Sequence, residues 1–568
     1  MKSHCILGIL FCLASGVGCY LGDTDKHAGG LTAEMKVKRQ PVLSGKADNE
    51  LITISLSGNP DNRKSVVIKQ ITIRFAETSN PELLSSVKIY HTGTGTDRTE
   101  GRLFGSSESP GLISRIRGRM SLDGSHHTFV VSFVPREVID LTGRLINDGI
   151  EIRFSDPAFP DISLPPVTEP VRFGVVVRSA GQDSCDTYRI PGLVTTREGT
   201  LIAVYDMRYN SSKDLQEDID IGMSRSTDGG NTWEPMKVIL DMGEYGGRGE
   251  EYNGAGDPCV LYDHTTHTLW VAAVWISGLS PRQMLWQASA PGSAPDETGQ
   301  ILLVKSTDDG LTWSKPMNIT ARVKDPAWQL LMQGPGRGLT LKDGTLVFPA
   351  QFKADVGQPA IDGGQYTPHS TIMYSTDAGL HWSIGTGARA NTTEAQVVQL
   401  SDGSLMINMR DDRNRRDTSE LNGRAVATTT DLGRSWITHP SSNHALHEPN
   451  CMASLISADI IVNGTLKNVL FFSNPSHTYQ RSDMTIKASL DEGLTWPEKC
   501  RLLINENTGF GYSCLTMVND TTIGILYEGV KNLYFQKIPV REILKGCMEQ
   551  IPGKMLCSLP QQEQAIIR

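Results

Sequence analysis

The chain is poor in several features that would classify it at once. Cysteine is scarce, 10 in 568 residues and never spaced as CxxC, which excludes a dense disulfide scaffold and the commonest zinc modules. Positive charge is not in excess: 54 Lys and Arg face 63 Asp and Glu, a formal net charge of −9. No broad cationic surface is therefore offered to nucleic acid or anionic lipid. Helical periodicities are few, and long apolar runs are nearly absent. The exception is "ILGILFCLASGV" (6–17), behind Lys2. It is too short to span a bilayer and has the form of a signal-peptide core, giving a signal peptide over 1–19 and no transmembrane segment. Cys19 faintly resembles a lipoprotein cleavage site, although Gly16 stands where Leu is expected. The expectation is an exported protein: periplasmic, secreted or lipid-anchored at the cell surface. Seven cysteines follow residue 19; Cys500 with Cys514, or Cys547 with Cys557, are candidate pairs, and buried free thiols are the alternative.

What the chain has is glycine and repetition. "STDGGNTW" (226–233) returns as "STDDGLTW" (306–313), "STDAGLHW" (375–382), "TTDLGRSW" (429–436) and "SLDEGLTW" (489–496). A spaced internal repeat of this kind marks one supersecondary unit per copy. Gly in Asp-x-Gly supplies the positive φ of a tight hairpin, Asp can bond nearby backbone N–H groups, and Trp can plug the space between units. A second turn series, "REGT" (197–200), "KDGT" (342–345), "SDGS" (401–404) and "NGT" (463–465), lies between the copies. Hairpin after hairpin predicts four-stranded blades, hence an all-β chain ending in a β-propeller. Upstream, short alternating β-branched runs such as "VVIKQITIRF" and "HTFVVSFVP" predict a β-sandwich over 49–155. A tether is expected at 20–48, a Pro-rich extended linker at 156–174, the propeller over 175–545 and a C-terminal tail at 546–568.

The repeats match the Asp-box, and propellers that carry it include the sialidases as well as unrelated binding proteins, so the fold alone does not give the function. Three arginines stand at equivalent places in different blades: Arg189 in "TYRIPGLVTT", Arg410 in "INMRDDRNRR" and Arg481 in "HTYQRSDMTIKASLDEG". Together they resemble the arginine triad with which sialidases grip the carboxylate of sialic acid, a use that suits the planar, permanently charged guanidinium. The resemblance extends over about residues 180–540 and implies six blades. It also implies that Glu528 ("GILYEGV") steadies Arg189, that Asp214 in the acidic loop 205–230 is the general acid/base, and that Arg208 and Asp257 lie near the substrate's C4 substituent. Tyr512 and Glu394 match the family's nucleophile and its base.

From the residues alone, the loop around Asp214 also fits a solvated surface or a calcium site, and Asp218 competes with Asp214 for the acid's role. Like-charged neighbours and shielding by substrate would raise the acid's pKa. Sialidases, with a tyrosine nucleophile, are an exception to the two-carboxylate scheme of glycosidases. Sialic acid carries a carboxylate on its anomeric carbon, which would repel a carboxylate nucleophile.

The implied activity is that of a retaining exo-α-sialidase acting on sialylated glycoconjugates, without cofactor and as a monomer, with structural calcium left open. A trans-sialidase, including one that forms an anhydro product, and a sialoglycan-binding propeller without turnover are the alternatives. Gln333 and Trp275 are weaker candidates for the pocket, and the pairs "HTTH" (264–267) and "HALH" (444–447) read as loop histidines. The replacement of Thr by His381 in the third box and of Ser by Thr429 in the fourth is expected to weaken a turn. The N-terminal sandwich resembles an accessory domain found ahead of some exported bacterial sialidases.

Overall fold

The computed structural model describes residues 30–58, 66–93, 101–122, 126–157, 159–215, 217–247, 249–277 and 285–548. The signal peptide, the first part of the tether, Cys557 and the tail from residue 549 lie outside the described residues. The chain divides into two compact units between Phe173 and Gly174.

The first unit is two antiparallel sheets. One has the order Leu31–Val37, Asn49–Gly58, His126–Pro135, Leu84–Gly93, Arg102–Glu108. The other centres on Val66–Phe75 between Arg144–Phe154 and Ile113–Leu122. Strand alternation sends Ile54, Leu56, Ile71, Ile73, Phe129 and Ile152 into a core that water does not reach. Two expectations need correcting. Residues 31–37, assigned to a tether, pair in full register with residues 52–58. Residues 167–174, assigned to a linker, belong to the strand Val167–Arg178. Its first half pairs with Arg144–Phe154, and the register shifts between Val167 and Val171, so Pro170 sits at an irregularity where no ladder N–H is missed.

Among the described residues the second unit is six sheets in succession, the blades of a propeller, antiparallel except where Gly336–Arg337 runs parallel to Cys259–Val260. The first holds Thr187–Thr195, Leu201–Arg208, Ile219–Ser226 and Lys237–Leu240. The last holds Ser513–Asn519, Thr522–Glu528 and Leu533–Pro539, and residues 175–178 complete it. The first and last strands of this unit thus share a blade, and this pairing closes the ring. The first strand of each blade is innermost. Thr187–Thr195 touches Asn253–Asp263, Thr392–Gln399 touches Ser454–Val462, and Ser513–Asn519 touches both Ser454–Val462 and Thr187–Thr195.

The Asp-boxes close blade hairpins by one repeated bonding scheme. Ser226 Oγ donates to Asp228 and accepts from the Gly230 N–H, while Asp228 accepts from both the N–H and the hydroxyl of Thr232. The next box repeats each bond. In the third, His381 supplies its N–H and its ring Nδ1, 2.7 Å from Asp377, in place of the Thr hydroxyl. In the fourth, Thr429 makes both of the first residue's bonds. The expected weakening is therefore not found: imidazole and threonine hydroxyl reach the same atoms. These donors pull the carboxyls of Asp308, Asp377 and Asp431 down to about 2. The tryptophans wedge between blades: Trp233 meets Phe535 of the sixth blade at 5.3 Å, and Trp382 meets Trp270 of the second at 6.0 Å.

Cys500 and Cys547 are joined as a disulfide, with Cα atoms 5.7 Å apart. This replaces both expected pairings. Cys514 is a buried free thiol, as are Cys185, Cys259 and Cys451.

Candidate active site

At one end of the propeller axis the innermost strands surround a cleft of about 490 Å³ whose walls include Asp214, Asp257, Glu394, Arg410 and Tyr512. Trp286, Met332 and Gln351 add apolar and amide surface, and Asp362 and Arg415 stand on its wall. Residues from five of the six blades thus meet, although more than 320 positions separate Arg189 from Tyr512 in the chain (512 − 189 = 323).

Tyr512 is the hub. It immediately precedes its strand and is 5% exposed. Its hydroxyl donates to Glu394 and accepts from Arg410 Nη1 at 3.1 Å. The same Nη1 donates to the other Glu394 oxygen at 2.7 Å. The Arg189 guanidinium carbon lies 5.2 Å from the Tyr512 ring centroid, and that of Arg481 lies 5.7 Å away. The three arginines of the sequence reading are therefore gathered around one phenol. Burial, reinforced by the Glu394 carboxylate, raises the pKa of Tyr512 against the pull of Arg410 and Arg481, so the phenol is neutral at ordinary pH.

Glu528 anchors the first arginine and more. Its carboxylate accepts from Arg189 Nε at 3.0 Å and Nη2 at 3.4 Å, and from the backbone N–H groups of Ile190 and Tyr512, both at 2.9 Å. One buried carboxylate thus fixes the cation and the chain on which the phenol hangs. Ile190 has φ +56, the turn that aims Arg189 out of its strand. Arg481 is held differently, by the carbonyls of Phe510 (2.9 Å) and Asn450 (3.2 Å).

The acidic side is organised by Arg208, fully buried, which donates to Asp206 (2.8 Å) and to Asp214 (2.9 Å). Asp214 also caps its own loop by accepting from the Leu215 N–H, yet its side chain stays 52% exposed toward the cleft. The sequence reading expects a raised pKa at Asp214. In the free protein burial does push it up, but the charges of Arg208 and Arg189 outweigh that and hold it below the usual value. The raised carboxyls are its neighbours: Asp206, at about 6, and Asp257, well above the ordinary range, both through burial first. Asp257 lies in the cleft wall at φ +56, its N–H bonded to Asp206.

Asp218 is not among the residues of the cleft wall. Gln333 and Trp275 are packing residues: Gln333 donates to the Asp257 carbonyl, and Trp275 is fully buried with its indole N–H on Asn253. His267 bonds Tyr262, His444 bonds the Ser442 carbonyl and His447 that of Asn422. Among the described residues, no group of three or more His, Cys, Asp or Glu is arranged to hold a metal ion.

Sequence reasoning misses Asn450. Its Oδ1 accepts from Arg410 Nη2 at 2.9 Å, its carbonyl accepts from Arg481, and its Nδ2 donates to the Asp411 carbonyl. It does this at φ +49, a conformation Asn tolerates better than most residues, and that tolerance is the one signal in "HEPNCMA". Behind it, buried Glu448 pairs with Arg424 and accepts from the Asp411 N–H, fixing the strand end that carries Arg410.

Two family models match the chain: the BNR repeat-like domain over residues 199–525 and the N-terminal domain of BNR-repeat neuraminidase over residues 31–129. A sialidase of Bacteroides fragilis is 41% identical over 573 residues, covering 96% of this chain and 100% of its own length. A sialidase of Micromonospora viridifaciens is 32% identical over 370 residues, 64% of this chain and 53% of its own. Among solved structures, a Hadza microbial sialidase superposes with a TM-score of 0.79 at 39% identity, over 89% of this chain and 99% of its own.

Proposed function

The chain belongs to the sialidase family and is a glycoside hydrolase, and from that premise we propose that it is a retaining exo-α-sialidase working through a glycosyl-tyrosine intermediate. Its substrates are the terminal sialic acids of glycoproteins, glycolipids and oligosaccharides. The observation that carries the reading is the Tyr512 hydroxyl, hydrogen-bonded to Glu394 and ringed by Arg189, Arg410 and Arg481. The arginines take the substrate carboxylate. A neutral phenol then approaches the anomeric carbon without the repulsion a carboxylate would meet. As the Tyr512 oxygen bonds to that carbon, its proton passes to Glu394, and Asp214 gives its proton to the departing glycosidic oxygen. In the second half Asp214 takes a proton from water, water attacks the same carbon, and Tyr512 leaves with the proton from Glu394. Two displacements retain configuration.

Asp214 is preferred over Asp257 as the acid because it is open to the cleft and because its pKa responds to the substrate. A carboxylate seated on Arg189 cancels one of the two charges that hold Asp214 down. Export is part of the same reading, and the apolar run at 6–17 supports it.

The test compares an aryl sialoside, whose leaving group needs no proton, with sialyllactose, whose leaving group does. Asp214→Asn is expected to lose about 10²–10⁴-fold on sialyllactose and far less on the aryl substrate; Asp257→Asn giving that pattern instead would transfer the role. Tyr512→Phe is expected to fail on both, and full turnover in that variant would remove the tyrosine from the mechanism. NMR of the first product should show retained configuration. A sialylated acceptor or an anhydro sugar in its place would identify a transferase.

A further inference from the structure

The innermost strands that carry the cleft at one end carry a second cavity at the other. Arg189 and Thr195 sit near opposite ends of one strand, as do Glu394 and Gln399 of another. At about 3.3 Å per residue, the six steps from Arg189 to Thr195 span about 20 Å. This second cavity, of about 410 Å³, draws its wall from all six blades, with Thr195, Tyr262, Thr340, Gln399, Asp459 and Thr516 each from a different one.

Arg337 sets its chemistry. It lies in the short strand Gly336–Arg337, which pairs with Cys259–Val260 at the axis. Its guanidinium has two weak bonds, Nη1 to the Leu515 carbonyl at 3.3 Å and Nε to the Gly338 carbonyl at 3.4 Å. Nη2 bonds nothing among the described residues, and no carboxylate there lies within ion-pair distance. Three other arginines of this unit each have one: Arg189 has Glu528, Arg208 has Asp206, and Arg424 has Glu448. Burial pulls the pKa of Arg337 down, and the titratable groups that act on it against that are the thiols of Cys514 and Cys259, not a carboxylate. Asp459 is engaged by the Asn468 amide at 3.0 Å. Lys342 adds an exposed positive charge to the wall. A partly buried cation without a counter-charge carries a desolvation cost that an anion would relieve, and the planar fork of guanidinium suits an oxyanion.

We propose that this axial cavity, opposite the cleft, is a binding site for a small oxyanion, a carboxylate or a phosphate, held by Arg337. The site-resolved test is a crystal of the full chain soaked in selenate, with selenium's anomalous signal giving the position. A peak within hydrogen-bonding distance of the Arg337 guanidinium is expected. In solution, calorimetric titrations at fixed ionic strength with inorganic phosphate and, separately, with acetate compare the wild type with Arg337→Met. Anions at the cleft contribute equally to both proteins, so the wild type should bind one equivalent more. A difference with phosphate alone assigns a phosphate ligand, with acetate alone a carboxylate, and with both an oxyanion site that does not discriminate. No selenium peak at Arg337, or equal stoichiometry in the two proteins with both anions, overturns the proposal. If Arg337→Met does not fold, Arg337→Lys serves in the titration, with an affinity at least several-fold weaker expected, and the wild-type anomalous map decides.

Discussion

Replacing Glu528 by Gln changes one oxygen to an NH₂ and tests how the arginine grip is built. Glu528 is 3% exposed and takes four hydrogen bonds, two from Arg189 and one each from the Ile190 and Tyr512 N–H groups. Glutamine can satisfy one side only. Turned one way, its amide N–H₂ faces the Tyr512 N–H and Arg189 Nη2; turned the other, it faces the Ile190 N–H and Arg189 Nε. In either pose a buried cation loses its counter-charge, a change that costs about 3–5 kcal/mol when one partner of a buried pair is removed. For a unit of this size that is a fall in Tm of roughly 4–6 °C. The loss should be partly reversed by sialic acid, whose carboxylate supplies the missing charge, so ligand should raise the Tm of Glu528→Gln more than that of the wild type. Because the Tyr512 backbone is tethered to the same carboxylate, kcat should fall about 10–100-fold, as expected for a nucleophile displaced by a fraction of an ångström to an ångström. Scanning calorimetry with and without sialic acid, beside steady-state kinetics, measures all three. Glu528→Asp, which keeps the charge, should recover much of the stability. Unchanged Tm and kcat in Glu528→Gln would refute the view that one carboxylate braces both the triad and the nucleophile.

Two further outcomes follow from the same geometry. Asp214 must be protonated to act as the acid, and in the free protein Arg208 and Arg189 keep its pKa low. Substrate places a negative charge on Arg189 and lifts it, so the alkaline limb of kcat, which reports the complex, should lie at higher pH than that of kcat/KM, which reports the free enzyme. Coincident limbs or the reverse order would count against Asp214. Asn450→Ala removes the acceptor on Arg410 and the donor to the Asp411 carbonyl and puts alanine at φ +49, whereas Asn450→Gly removes the same two bonds without the strain. Both should raise KM about tenfold or more, the worth of a hydrogen bond to a charged group, and only the alanine should also lower Tm through backbone strain. A KM untouched in both variants would leave Asn450 no part in positioning.

The repeated hairpins and the gathered arginines are legible in the sequence because each rests on a short-range rule. An Asp-box folds through contacts within seven residues, Ser226 to Thr232 in the first copy, so its meaning survives without knowledge of the rest. What could not be read depends on distant partners. Residues 31–37 look like a polar tether because alternation alone does not reveal that a strand waits beside them. Pro170 argues against a central strand unless an irregularity in register spares its missing N–H. The Cys500–Cys547 pair joins the fifth blade to the segment after the last strand, and spacing cannot choose it over Cys514 or Cys557. Asp214 presents the same difficulty in electrostatics: like-charged neighbours in sequence suggested a raised pKa, but two arginines decide the sign, one near in sequence and one brought by the fold.

The distribution of counter-charges bears on which arginine gains most from substrate. Arg189 rests on Glu528, Arg410 on Glu394 and Arg208 on Asp206 and Asp214. Arg481 alone of the triad has only carbonyl partners, those of Phe510 and Asn450. Carbonyl dipoles orient a guanidinium but do not neutralise it, so the field of Arg481 in the free site is the least cancelled. An incoming carboxylate must share Arg189 and Arg410 with acids already in place, whereas at Arg481 it meets an unmatched charge. The two paired arginines are thus preset in direction and the third in charge. That division lets the site stay folded before an anion arrives and still favour one when it does, and it places the unmatched charge beside the Tyr512 ring.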